Sequence, residues 1–407
     1  MNSTREQRCR NPWRQLPVSG SRLIAGLVLA SVFTAQNARA GDEANKAFEG
    51  LSFSAQTYIE YSAGKTPAEQ GKTKSYNQFA LTRGYFTLKK KIAPWLSMRL
   101  TSEVTQDATG DYKVRQKYFY AELRPRDIGP LTGMVAEVGM GNIPWLDFEG
   151  SINPYRAQGT MAIERAGAFN SVDLGVSLRG DFGGTLADGE KTTGNKNNLG
   201  RYGSWHIGIY NGGGYNAPEN NENKTLEGRL TVRPLSAIIP GLQLSYFGIF
   251  GKGNAYVSKL KAYPDLTVNM GMASFQHPLL TLSAQYFATK GNQKGTWVDT
   301  LKTRDALSTA GFSVFGNVRL PDAESKISVF GRMDWFDVDH DHVIADKSAY
   351  TMSMGGVSYR LYSNNLLLLT YEVTKFEDNA AGKGKLPVVG YKSKDDQRMQ
   401  AVYQLSF

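Results

Sequence analysis

Three groups of side chains in this sequence have types and spacings that could do chemistry. The first is Asp339-His340-Asp341-His342, residue types that ligate metals. An i, i+2 pair supplies too few ligands, and its surroundings are strongly polar, so it reads as a solvated acidic loop with no metal expected. The second is a cluster between residues 141 and 170: Asp147, Glu149, Arg156, Glu164 and Arg165. The third is a series of arginines, Arg83, Arg99, Arg179, Arg229 and Arg332, on polar faces of alternating segments. A guanidinium meets phosphate or carboxylate through a two-pronged fork. Fixed positive charge also lowers the cost of bringing an anion into a narrow, low-dielectric space. The competing use is structural, with these arginines paired to Glu103, Glu122, Asp173 or Asp334 and bracing a wall. No serine–histidine–carboxylate set stands out among four histidines. The glycine run at Asn211–Gly214 has no helix after it to cradle a phosphate, and scattered basic residues make no nucleic-acid footprint. No cofactor is expected.

The elements that must position these groups are visible once the leader is set aside. Arg5, Arg8, Arg10, Arg14 and Arg22 precede the short apolar run Leu23–Phe33 and then Ala38-Arg39-Ala40, a secretory signal pattern with residues 1–40 removed. Those forty residues hold six Arg and one Glu, so removing them lowers the net charge from +10 to +5. They also take away Cys9, the only cysteine, which excludes disulfides and thiolate-held metals afterwards. Mean hydropathy is -0.38 and no later apolar run is long enough for a membrane helix. Residues 41–50 are expected as a short periplasmic segment and 51–407 as one transmembrane β-barrel.

Alternation of apolar and polar residues recurs throughout 51–407. Leu96, Met98, Leu100 and Val104 point one way; Ser97, Arg99, Thr101 and Glu103 point the other. Candidate strands lie near 51–62, 77–91, 95–107, 113–125, 132–141, 171–182, 201–211, 224–235, 240–252, 266–276, 279–290, 304–319, 325–337, 349–362, 365–377 and 395–407. Many reach the roughly 10 residues that a tilted strand needs to cross a bilayer. Short connections such as 91–95 and 276–278 alternate with long polar ones such as 62–76, 211–223, 337–349 and 377–394. That rhythm predicts an antiparallel barrel of about 16 strands with both termini on the short-turn rim. Segment 183–200 breaks the rhythm, being long where a short turn is due. Trp95, Tyr120, Trp205 and Trp335, near strand ends, suit either an interfacial girdle or ordinary cross-strand packing.

The connection Gly141–Asn170 also differs. It carries Ile143, Trp145, Leu146, Phe148, Ile152, Met161, Ile163 and Phe169, too much apolar surface for an exposed loop. As the third long loop, it is expected to fold into the lumen and narrow it.

Several stretches carry a family resemblance: FALTRGYFTLKKKI before a strand ending TQD, Pro144-Trp145-x-x-x-Glu149, IERAGAFNSVDLGVSLRG, YNGGGYNAPENNENKTLEGRLTVRPL and ISVFGRMDWFD. Together they resemble the phosphate-selective porin O/P family, within the sixteen-stranded bacterial porins. The resemblance implies an outer-membrane channel in a Gram-negative bacterium, a third loop acting as constriction, passage of small anionic or polar solutes, and a homotrimer surrounded by lipid. The alternating end of the chain, with Tyr403, Leu405 and Phe407, resembles the signal read by the barrel-assembly machinery. Two other readings stand beside the pore: a barrel that sheathes or docks another protein, and an outer-membrane enzyme.

Overall fold

The computed structural model describes residues 48–68, 72–107, 109–301 and 305–407. The expected leader lies outside them. The strands are β1 (Leu51–Pro67), β2 (Thr73–Ala93), β3 (Leu96–Gln106), β4 (Tyr112–Leu123), β5 (Leu131–Asn142), β6 (Val172–Phe182), β7 (Gly203–Tyr210) and β8 (Thr225–Val232). They continue as β9 (Leu242–Lys252), β10 (Asp265–Gln276), β11 (Leu280–Lys290), β12 (Ser308–Leu320), β13 (Ile327–Asp337), β14 (Tyr350–Tyr362), β15 (Asn365–Phe376) and β16 (Asp396–Ser406). Each pairs antiparallel with its sequence neighbours, and β1 pairs with β16 to close the barrel. Closure matters because lipid offers no hydrogen bonds to an unpaired sheet edge. Thr57 lies opposite Leu405 and Tyr61 opposite Ala401, while the Phe407 amide donates to the Ala55 carbonyl at 3.1 Å.

The barrel is apolar outside and polar within. On β15, Leu369 is 64 % exposed on the outer face whereas neighbouring Glu372 is 3 % exposed inside. On β6, Leu174 and Val176 face outward while Asp173 and Ser177 are buried. This inverted alternation is the pattern that a hydrocarbon solvent requires.

The strands follow the sequence pattern with one large departure. Residues 62–76, expected as a loop, are mostly strand: Lys65 pairs with Ser75 and Thr66 with Lys74, up to Pro67 opposite Thr73. Polarity misleads there because a ladder between two Thr- and Ser-rich strands needs no apolar face once it leaves the membrane.

The third long loop folds into the lumen. It contains α1 (Leu146–Ile152) and α2 (Ala162–Ala166). Its apolar residues pack with inward side chains of the far wall, among them Phe247, Met270, Phe287, Phe336 and Met352, into the main buried cluster. The Trp145 ring centre lies 5.4 Å from that of Phe247, and Tyr155 stacks on Phe330 at 4.1 Å. Each large apolar side chain buried this way stabilises the seat by roughly 1.5–3 kcal/mol. Part of the inner wall is therefore a protein core.

Candidate functional site

The remaining lumen holds a cavity of about 1330 Å³, lined by the third loop and by residues from strands around the barrel, among them Lys89, Arg99, Arg179, Arg229, Arg319 and Arg360. On one side of it, β2, β3 and β4 carry a charged cluster. Glu103, fully buried on β3, accepts from Arg83 Nη1 at 3.1 Å and Arg115 Nε at 2.7 Å, with Lys117 Nζ at 3.7 Å. Tyr215 Oη, from the fourth loop, donates to the same carboxylate at 3.0 Å. One carboxylate thus gathers three cations, leaving a positive surplus. Below them Arg99 donates to Thr101 Oγ1 at 3.1 Å, and its guanidinium carbon sits 4.1 Å from the Tyr118 ring centre. Among the described residues, neither Arg99 nor Lys89 makes an ion pair within 4.0 Å.

The arginines expected in the pore divide between lining it and holding it. Arg99, Arg156, Arg179 and Arg229 line the cavity together with Asp147 on α1. Arg179 pairs with Glu137 at 3.2 Å and reaches Glu122 at 4.0 Å. Arg229 donates to the Pro144 carbonyl at 3.1 Å and lies 4.0 Å over the Phe148 ring, so it anchors the entry of the third loop. Arg156 forks onto Glu164 at 2.6 and 2.8 Å within the loop. Burial opposes ionisation of Glu164, but the Arg156 guanidinium outweighs it and holds the carboxyl below its ordinary value.

Arg165, Arg332, Glu149 and Glu164 lie off the cavity, in the loop and its seat. Arg165 meets Glu372 of β15 at 2.8 Å, beside Arg398 and Lys383. Arg332 forks onto Asp334 and donates to the Thr160 carbonyl at 2.9 Å. Glu149 accepts from Trp145 Nε1 and Gln285 Nε2, each at 2.8 Å, and burial pushes its carboxyl up to about 7. Asp173, considered as an arginine partner, instead accepts backbone amides of Leu174 and Gly212 at 2.7 Å. Asp339 is buried, not solvated, and its carboxylate accepts the amides of Val343, Ile344 and Ala345 to set the seventh loop. Tyr120 is also inward, 3.5 Å from Arg99 Nη1 through its hydroxyl, so it is no girdle residue. Leu405 and Phe407 are exposed and Tyr403 half-buried at the closing seam.

Six lining cations were not picked out in the sequence: Lys89, Lys117, Lys196, Arg319, Lys326 and Arg360. Lys89 was legible from alternation with Thr87 and Tyr85. Lys117 was not, because a β-bulge makes it inward. Thr101 pairs with Tyr118 and the next residue, Ser102, with Gln116, so Lys117 is the extra residue and points in alongside Tyr118.

No protein-family model matches the sequence, and no curated protein matches it. Solved structures do. An anion-selective porin from Comamonas acidovorans superposes with a TM-score of 0.57 at 11 % identity, covering 88 % of this chain and 100 % of that one. OmpF of Salmonella typhi, solved with daunomycin, gives 0.56 at 12 %, over 87 % and 97 %. OprB of Pseudomonas putida gives 0.56 at 9 %, over 90 % and 96 %. The chain has the porin fold. At these identities the likeness concerns backbone architecture: a closed sixteen-strand porin barrel, here with its third long loop seated in the lumen.

Proposed function

We propose that the protein is an outer-membrane porin, a passive water-filled channel for small hydrophilic solutes with a weak preference for anions such as phosphate. One observation carries the preference: the cavity is lined by ten Lys and Arg side chains and two carboxylate side chains, Asp147 and Glu190, among the described residues. Positive potential confined between low-dielectric walls enriches anions and repels cations. The forks of Arg99 and Arg179 suit tetrahedral or planar oxyanions. The mixed signs on the loop, Arg156 with Glu164 and Asp147 nearby, keep the preference weak. The sheath reading calls for an open lumen, whereas here the loop packs inside it. A trimer in the membrane is part of the proposal; an outer-membrane protein of Vibrio cholerae with a TM-score of 0.53 is described in trimer form.

Single-channel recording of refolded protein in planar bilayers under a salt gradient tests this reading. The expected reversal potential has the sign of anion selectivity, and Arg99→Glu with Lys89→Glu moves it toward cations. Absence of conductance would sink the channel itself, and a cation-selective wild type would sink the preference.

A further inference from the structure

The segment between β6 and β7, residues 183–202, sits at the rim where every other connection is a simpler turn. It is built as a rigid cross-piece. A bridge between Thr185 and Gly200, with the Leu186 amide on the Leu199 carbonyl at 2.7 Å, closes its base. The short helix α3 (Gly189–Thr193) forms its tip. Arg233, just past β8, pins one arm by donating to the carbonyls of Gly200 at 3.2 Å and Asn198 at 3.0 Å. The tip crosses to the β10–β11 turn: a Cβ on Gly194, whose φ is +70°, would lie 2.9 Å from Pro278 Cα, so only glycine fits this approach.

From there two asparagines reach up to the third loop. Asn195 Nδ2 donates to the Ser151 carbonyl at 2.8 Å, and Asn198 Nδ2 to Ser151 Oγ at 2.6 Å. Ser151 is in the last turn of α1, where helix carbonyls have no intrahelical donor, so Asn195 supplies a missing partner from outside the loop. Asn198 itself holds φ at 53°, a left-handed conformation that asparagine tolerates better than most residues. The residue types therefore match both the backbone and the contact. The opposite side of α1 is fixed by apolar packing of Leu146, Phe148 and Ile152. Ser151 is where polar contacts from the short-turn rim hold it.

We propose that residues 183–202 brace the pore loop from the periplasmic side, with Asn195 and Asn198 as positioning residues that set the height of α1 and hence of Asp147 in the eyelet. The brace and the loop both line the cavity and are hydrogen-bonded to each other. Solute access from the periplasm and loop position from the outside thereby become one coupled variable.

The inference rests on the channel reading, and the test separates the two. Asn195→Ala with Asn198→Gly removes both amides while keeping the left-handed backbone; heat-shifted electrophoresis reports whether the barrel has formed. Losing two hydrogen bonds raises the population of released loop by about tenfold, read as added open-channel noise and brief closures. A companion protein, Ser151→Cys with Asn198→Cys joined by a short bifunctional thiol reagent, should conduct at least as quietly as wild type. Silent wild-type protein would refute the channel. A conducting wild type, with noise and conductance unchanged in the double variant, would refute the brace. If the double variant does not form a barrel, identical traces from the linked and unlinked cysteine proteins would refute it instead.

Discussion

Glu149 shows how one side chain can set the condition of the pore loop. It is buried beneath α1 with Trp145, Gln285, Arg332 and Asp334 around it, and removal from water dominates its ionisation. Its folded pKa of about 7 exceeds the ordinary value of 4.5, so the seated loop binds the proton more tightly than the released one. The stability this contributes is complete below about 4.5 and is lost as pH rises to about 7, amounting to about 3 kcal/mol. Channel closures should therefore become more frequent as pH rises from about 4.5 to about 7. Glu149→Gln, which stays neutral and keeps an acceptor for Trp145, should abolish that dependence in single-channel records taken across the range. Glu103 makes the reverse argument. Three cations share it and Lys117 among them is buried, so Glu103→Gln leaves a buried ammonium without its carboxylate, which costs roughly 3–5 kcal/mol. The variant barrel should lose its heat resistance on electrophoresis at a lower temperature.

At the level of elements, the third loop behaves as a small core attached to a wall. Trp145→Ala opens a cavity between Phe148 and Phe247, a truncation that costs roughly 3–5 kcal/mol. Because the strands keep their own hydrogen bonds, the barrel should still form while conductance rises and becomes irregular. The strands and this loop were legible because their signals are local: alternation fixes which face meets lipid, and eight large apolar residues in one connection demand cover. What escaped was non-local. Nothing within residues 112–123 announces the bulge that turns Lys117 inward, since its cause is the register against β3. Whether an arginine lines or braces was equally hidden. Arg165 reads as a constriction residue from its loop, yet Glu372, more than two hundred residues away, decides its role. Segment 183–202 looked only like an irregular turn, because its partner Ser151 lies on another element.

On the scale of the whole molecule, the barrel is closed by a seam whose last pairs involve Phe407 and Ala55. Deleting Phe407 removes both backbone hydrogen bonds and its ring contact with Phe53 at 5.9 Å, while leaving the third loop and its apolar seat untouched. Assembly yield in outer membranes should fall, with unchanged conductance in the channels that do form. Charge acts on this scale too. The Debye length falls from about 10 Å at 0.1 M salt to about 3 Å at 1 M, so anion selectivity should weaken as salt is raised.

The bulge at Lys117 makes a clean edit possible. Strand β4 carries one codon more than its pairing needs, and both flanks already sit in their final register. Deleting that codon should leave Tyr118 inward, Gln116 outward and every lipid contact in place, subtracting a single charge from the lumen. In most barrel strands a one-residue deletion inverts everything beyond it; at this position the reading frame of inside and outside absorbs the loss. A library of one-codon deletions along β4 should therefore show tolerance confined to the bulge, the Lys117 deletion folding normally and conducting with weaker anion preference.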